Sequence, residues 1–269
     1  VNGQSREAPM LLAGRTVIVS GVGAGLGHQV AAAVVRDGGN AVLGARTGAR
    51  LAKAAAEIDP EGLRTAHLAA DITDASRCEA LAALAVERFG RIDAVVHVAA
   101  RDSYFGGIED ADLDTWKEVV DVNLLGTLRM TRACLPALKE RGGSVVLIGT
   151  QSAVAAPSQV RQAAYAASKG ALTSAMYSMA QEFGPHRIRV NTVLPGWMWG
   201  PPVQAYVRFT AHTEGVSEAE VLGRLSGRMA LPELATDLDV AEAAVFLASD
   251  RARAITGQSL LVNAGELMR

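Results

Sequence analysis

Seven short apolar or β-branched runs punctuate the chain, at 16–20 (TVIVS), 40–45 (NAVLGA), 64–70 (RTAHLAA), 92–99 (IDAVVHVA), 144–149 (SVVLIG), 187–194 (RIRVNTVL) and 258–263 (QSLLVN). Helix-length stretches separate them. A strand covered on both faces is apolar almost throughout, and parallel neighbours need a long crossover between them. The alternation therefore predicts an α/β fold: a doubly wound, Rossmann-type parallel sheet of about seven strands with helices on both faces.

One helix stands out. Over residues 163–183, Ala163, Ala164, Ala167, Ala171, Leu172, Ala175, Met176 and Met179 spread round much of the circumference. A helix apolar on most sides is buried on most sides. One face is expected on the sheet and the other against a second copy, together with a preceding helix at about 112–140, giving a homo-oligomer, either dimer or tetramer. Within this run Tyr165 and Lys169 are one turn apart and project together. Taken alone, such a pair is an ordinary core tyrosine beside a solvated lysine.

Composition narrows the function classes. The 269 residues are 49% hydrophobic, and no Pro/Ser-rich linker, low-complexity tract or repeat divides them, so one domain is expected over residues 11–269. A formal charge of −2 provides no basic field for nucleic acid or anionic lipid. Cys78 and Cys134 have no C-x-x-C partner, and the five histidines are scattered without ligand spacing, so neither a disulfide nor a metal is expected. No apolar run is long enough to span a bilayer, and the opening residues have no signal pattern. A cytoplasmic protein with a small-molecule substrate is expected, residues 1–10 forming a flexible extension.

The stretch SGVGAGLG follows the first predicted strand and opens a helix. Gly21, Gly25 and Gly27 let the backbone turn tightly and approach a diphosphate, which the free N–H groups and dipole of a helix start attract. The second strand ends some twenty residues later at Ala45-Arg46, where a Rossmann unit reads the adenosine ribose.

The Gly-x-x-x-Gly-x-Gly spacing resembles the short-chain dehydrogenase/reductase family, and the resemblance extends over about residues 11–266. DIT at 71–73, HVAA at 97–100, Asn123 in DVNLLGT, Ser152 thirteen residues before Tyr165, Tyr165-x-x-x-Lys169 and NTVLPGW all stand at positions similar to its motifs. The resemblance implies a Tyr165 acid/base, a Lys169 that holds the nicotinamide ribose and lowers the tyrosine pKa, a Ser152 that bonds the substrate oxygen, and an Asn123 that places a relay water. It implies cofactor contacts at Gly21, Gly25, Leu26, Gly27, Arg46, Thr47, Asp71, Ile72, Ala99, Tyr165, Lys169, Pro195, Gly196 and Met198. A lid at about 197–230 would cover the substrate, with Gln151, Val154, Trp197, Trp199 and Tyr206 as substrate contacts. His97 and Ala100 depart from the family's Asn-Asn-Ala-Gly, and Gly200 stands where a threonine often reaches the nicotinamide carboxamide.

The chemistry explains why these residue types are needed. Oxidising an alcohol removes an O–H proton while hydride leaves carbon, yet an ordinary phenol has a pKa near 10. A neighbouring ammonium can lower it, and a hydroxyl can hold the substrate oxygen in either direction. The expected function is hydride transfer between a nicotinamide cofactor and an alcohol or ketone, apolar or ring-containing given the aromatic lid. Ala45 in place of an acid, with Arg46 directly after it, favours NADP, with NAD still possible. The alternative is a noncatalytic nicotinamide-nucleotide sensor on the same fold, which would be expected to lose members of the Asn/Ser/Tyr/Lys set.

Overall fold

The computed structural model describes residues 10–156 and 160–268. The expected extension at residues 1–9 lies outside them. Strands β1 (Thr16–Ser20), β2 (Asn40–Ala45), β3 (Thr65–Ala69), β4 (Ala94–His97), β5 (Gly143–Ile148) and β6 (Ile188–Pro195) alternate with helices. These are α1 (Leu26–Arg36), α2 (Gly48–Ile58), α3 (Ala75–Phe89), α4 (Leu113–Val120), α5 (Thr127–Arg141) and α6 (Ala163–Phe183). Two-residue strands β7 (Met198–Trp199) and β8 (Ala235–Thr236) bracket α7 (Pro201–Glu214) and α8 (Glu218–Ser226), and α9 (Asp237–Ala248) leads to β9 (Ser259–Val262).

The main sheet is parallel throughout, in the order β3-β2-β1-β4-β5-β6-β9. The predicted apolar runs form its seven strands. The central strands are buried because each face carries helices, α1, α2 and α9 closing one core layer and α3, α5 and α6 the other, while the edge strands β3 and β9 are partly exposed. The order in which strands are added reverses between β1 and β4, so the loops after these strands diverge and leave a crevice at the carboxyl edge, where ligands of such sheets bind.

The helix expected at about 112–140 runs from α4 to α5 through one π turn, Asp121–Gly126. This wider turn carries Asn123, whose carbonyl accepts from the Thr127 hydroxyl at 2.9 Å. α6 occupies the residues predicted for it, but its burial corrects the expected all-round apolar face. Leu172, Met176, Met179 and Phe183 enter the core beneath the helix, while Ala167, Ala171, Ser174 and Ser178 form an exposed stripe of small side chains. Met179 is thus committed to the chain's own core.

The segment expected as a lid is a helical hairpin, α7 and α8, with a small core of its own around Val207, Ala211, Val221 and Leu225. β7 pairs with β8, which fastens the start of this hairpin to the start of α9. Among the described residues, no helix is long and apolar enough to cross a membrane, and no group of His, Cys, Asp or Glu could hold a metal ion.

Candidate active site

The carboxyl ends of β1, β4, β5 and β6 converge beside the crevice, and each delivers one part of the site. After β1, Gly21 takes φ +107°, a conformation that glycine adopts without strain. A Cβ on Gly21 would lie 2.1 Å from the Ala99 nitrogen, and one on Gly27 would lie 2.2 Å from the Gly21 carbonyl oxygen. The loop is therefore pressed against the end of β4 and against itself. Gly25 precedes α1 with no side-chain cap, which leaves the first-turn N–H groups of Leu26 and its neighbours for a ligand. This cradle fits a dinucleotide's diphosphate.

Beyond β2, Arg46 and Thr47 are exposed at the same edge. Asp71 holds Thr73 through its backbone nitrogen and hydroxyl at 2.9 and 2.8 Å, which shapes the turn after β3. Ile72 is buried against Gly126, where a Cβ would come within 2.7 Å of it. Pro195 closes β6, and Gly196 and Met198 continue along the crevice edge into β7.

At the centre, Lys169 is 1% exposed and its Nζ donates to the Ile148 carbonyl at 2.6 Å. It lies 5.9 Å from the centroid of the Tyr165 ring. Burial pulls the ammonium down to a pKa of about 8, with the carboxylate of Asp102 opposing. Burial pushes the Tyr165 phenol well above its ordinary value, Asp102 adds to this, and the Thr150 hydroxyl pulls it partly back. Burial thus disfavours the charged form of the phenol and of the amine alike.

The hydroxyl beside Tyr165 is that of Thr150, which directly follows β5 and is 8% exposed. Ser152 lies in the short 3-10 turn Gln151–Ala153, and its backbone N–H donates to Thr150 Oγ1 at 3.2 Å. Counting back from Tyr165 selects Ser152 only if the connection before α6 has a standard length. Counting forward from the end of β5 would have found Thr150.

Asn123 is fully buried and its side chain is committed. Oδ1 accepts from the Arg101 nitrogen at 2.7 Å, and Nδ2 donates to the Ser168 hydroxyl at 2.9 Å and to the Arg101 carbonyl at 3.2 Å. It ties the π turn to α6 and to the loop after β4. His97 fills the place of the family's first asparagine. Thr131 Oγ1 donates to the Thr127 carbonyl, so at the 2.9 Å contact with Thr131 it is His97 Nε2 that donates, which leaves Nδ1 an unpaired buried acceptor. Burial, and then the charge of Lys169, hold His97 neutral with a pKa pushed down to about 3.

The expected substrate contacts divide into two groups. Trp197 and Tyr206 pack on each other at 5.0 Å between centroids and, with Trp199, join the core of the hairpin. Gln151 is held by Asn263 at 2.6 Å and donates to Glu266 at 3.0 Å, and Glu266 in turn pairs with Arg228. Val154 follows on the turn after Ser152.

Sheet, glycine cradle and buried Tyr/Lys pair together define a dinucleotide-dependent oxidoreductase. A family model described as enoyl-(acyl carrier protein) reductase matches residues 21–266. The chain is 34% identical over 261 residues to L-rhamnose 1-dehydrogenase (NAD(P)(+)) of Azotobacter vinelandii, covering 95% of this chain and 98% of that protein. It is 32% identical over 253 residues to L-fucose dehydrogenase of Bos taurus, covering 94% and 89%. A crystal structure of a short-chain dehydrogenase/reductase of glucose/ribitol dehydrogenase type from Brucella melitensis superposes with a TM-score of 0.86 at 29% identity, covering 97% of this chain and all of that one (100%). The chain belongs to the short-chain dehydrogenase/reductase family. It is an NAD(P)-dependent enzyme that interconverts alcohol and carbonyl groups on a small molecule.

The buried amine gives a measurable consequence. The folded pKa of Lys169, about 8, lies below its ordinary 10.5, so the unfolded chain binds this proton more tightly. Stability is penalised below pH 8 and the penalty fades as pH rises towards 10.5, a total of about 3 kcal/mol at 1.4 kcal/mol per unit. Lys169→Met should therefore be more stable than the wild type at pH 7, less the lost bond to Ile148, and the advantage should shrink by pH 10. Urea unfolding at both pH values checks this; an advantage independent of pH would contradict it.

Proposed function

We propose that the enzyme uses NADP to oxidise a ring hydroxyl of a multiply hydroxylated substrate, with Tyr165 as acid/base and Thr150 as the hydroxyl that holds the substrate oxygen. The observation that carries this reading is the Thr150 hydroxyl beside the Tyr165 phenol, above the buried ammonium of Lys169. Thr150 Oγ1 already accepts from the Ser152 nitrogen, so its own proton is free for the substrate oxygen or the phenolate. Tyr165 takes the alcohol proton. Lys169 offsets the negative charge that develops on the phenolate and holds the cofactor ribose. When bound, the nicotinamide supplies a hydride acceptor. Asn123, through Ser168 and Arg101, positions α6 against the loop that faces the substrate.

The ring-shaped polyol follows from two supports. Relatives bear the names of deoxysugar dehydrogenases, and the lid aromatics expected to grip an apolar substrate are engaged in the core of the hairpin itself. NADP follows from Arg46 at the end of β2, where an acid would repel the 2′-phosphate. A second copy on the exposed stripe Ala167, Ala171, Ser174 and Ser178 accounts for the uncharged outer face of α6. Ala171→Arg should then shrink the assembly in light scattering, and a wild-type monomer at micromolar concentration would remove the proposal.

Nicotinamide absorbance with a panel of aldoses and of apolar ring alcohols tests the substrate. Turnover confined to the apolar alcohols would overturn the polyol, and tight cofactor binding without turnover would favour a sensor. Tyr165→Phe should lose about 10²–10⁴ in rate. Thr150→Ala should lose about 10²–10³, Thr150→Ser should keep most activity, and Ser152→Ala should be the mild variant. A larger loss in Ser152→Ala than in Thr150→Ala would return the role to the serine. NADP should bind about ten- to a hundredfold tighter than NAD, since a charge-assisted contact contributes about 1.5–3 kcal/mol. Ala45→Asp with Arg46→Ala should reverse that order in a titration of both cofactors; tighter NAD binding by the wild type would overturn the assignment.

A further inference from the structure

Asp237 is the first residue of α9, and its carboxylate lies between two glycines that come from opposite sides of the crevice. A Cβ on Gly200 would meet Asp237 Oδ1 at 2.7 Å and Oδ2 at 3.0 Å, and a Cβ on Gly25 would meet Oδ2 at 3.0 Å. A side chain at 200 would have to displace the carboxylate, and one at 25 would press on it. The glycine at 200 is therefore the counterpart of the acid at 237. The carboxylate fills the space into which any residue-200 side chain would project, and it does so against the glycine cradle that begins α1.

The chemistry of this corner is unusual. Gly25 and the uncapped first turn of α1 draw an anion, through free N–H groups and the helix dipole. An anionic side chain already lies against the same glycine. Asp237 is half-buried and, among the described residues, has neither a hydrogen bond nor an ion pair; burial, the one cause acting on it, raises its pKa.

Neighbouring ionisable groups are turned elsewhere. On α1, His28 faces Glu57 and Arg36 pairs with Glu242 of α9. Asp239 is engaged by the Thr236 nitrogen and hydroxyl, both at 2.7 Å. Arg208 of α7 is exposed, His97 of β4 bonds Thr131, and Arg189 of β6 bonds the Leu247 and Ser249 carbonyls. Among the described residues no cation pairs with Asp237, so a diphosphate arriving in the cradle meets a like charge in a half-buried place. One anion must be neutralised, and the carboxylate, whose pKa burial already raises, is the group that can take up the proton.

We propose that Asp237 couples dinucleotide binding to proton uptake: the diphosphate is held best by enzyme in which the Asp237 carboxyl is protonated and donates to a phosphate oxygen. The inference rests on the cofactor reading above and adds to it a residue of α9 that no glycine-loop motif contains. Affinity falls as pH rises from the pKa of Asp237 in the free enzyme to its higher value in the complex, by up to about tenfold per pH unit.

The test uses the whole enzyme with NADH, which lacks the titrating 2′-phosphate of NADPH. Calorimetry at pH 6–8 in two buffers of different ionisation heat counts the protons taken up. The wild type should take up a fraction of a proton and bind more weakly at pH 8 than at pH 6. Asp237→Asn keeps size and hydrogen bonding without the charge, so its Kd should be flat over this range and at least several-fold tighter than the wild type at pH 8. Asp237→Ser, which also removes the charge, gives the same comparison if the asparagine variant does not fold. NADH binding with no proton uptake, or uptake that persists in Asp237→Asn, overturns the inference alone. An affinity at pH 8 that rises with millimolar Mg²⁺ in the wild type but not in the variant overturns it in favour of a bridging cation. If the wild type binds neither NADH nor NADPH, the cofactor reading fails and this inference falls with it.

Discussion

The burial of one ammonium group organises the catalytic end of the molecule. Lys169 is 1% exposed in the middle of an α/β core, and its nitrogen is held by the Ile148 carbonyl at the end of β5. A buried charge is costly unless polar groups surround it or its pKa falls, and here both happen. Burial, with this charge added to it, keeps His97 neutral. It also explains why α6 has small residues around the pair: Ala164, Ser168 and Gly170 allow the helix to lie close to the sheet edge and to the π turn that carries Asn123.

The nucleotide end obeys a different constraint, which is lack of room. Gly21 against the backbone of Ala99, Gly27 against Gly21 and Gly126 against Ile72 are approaches that any Cβ would block. They bring backbone N–H groups, and not side chains, to the crevice. A site made of backbone holds a diphosphate firmly but selects poorly among dinucleotides, so selection falls to residues at its rim. Asp237 at the start of α9 lies against Gly25 of this cradle, and Arg46 is exposed just after β2.

The hairpin of α7 and α8 is a third unit with its own apolar cluster, and it is tied down at two points. β7 pairs with β8 at its base, and Arg228 beyond α8 pairs with the buried carboxylate of Glu266 near the chain's end. Glu266 also accepts from Gln151, so one chain of polar contacts runs from the hairpin through the C-terminal segment to the turn that bears Thr150 and Ser152.

Along the chain, much of this was legible. Strands covered on both faces must be apolar throughout, so all seven main-sheet strands show as apolar runs, and α6 begins and ends where its composition indicates. The glycine loop and the Tyr165/Lys169 pair were legible too, because a loop after a strand and one helical turn are local geometries. What the sequence could not carry was distance across the fold. Spacing from Tyr165 pointed to Ser152; only the fold showed that the Thr150 hydroxyl, held by the Ser152 nitrogen, also lies beside the phenol. Periodicity showed that Met179 and the lid tryptophans were apolar, but only packing decided that Met179 enters the core beneath α6 and that Trp197 meets Tyr206. The relation of Gly200 to Asp237 joins residues thirty-seven positions apart through one shared volume, and a volume has no signature in the order of residues until the chain has folded around it.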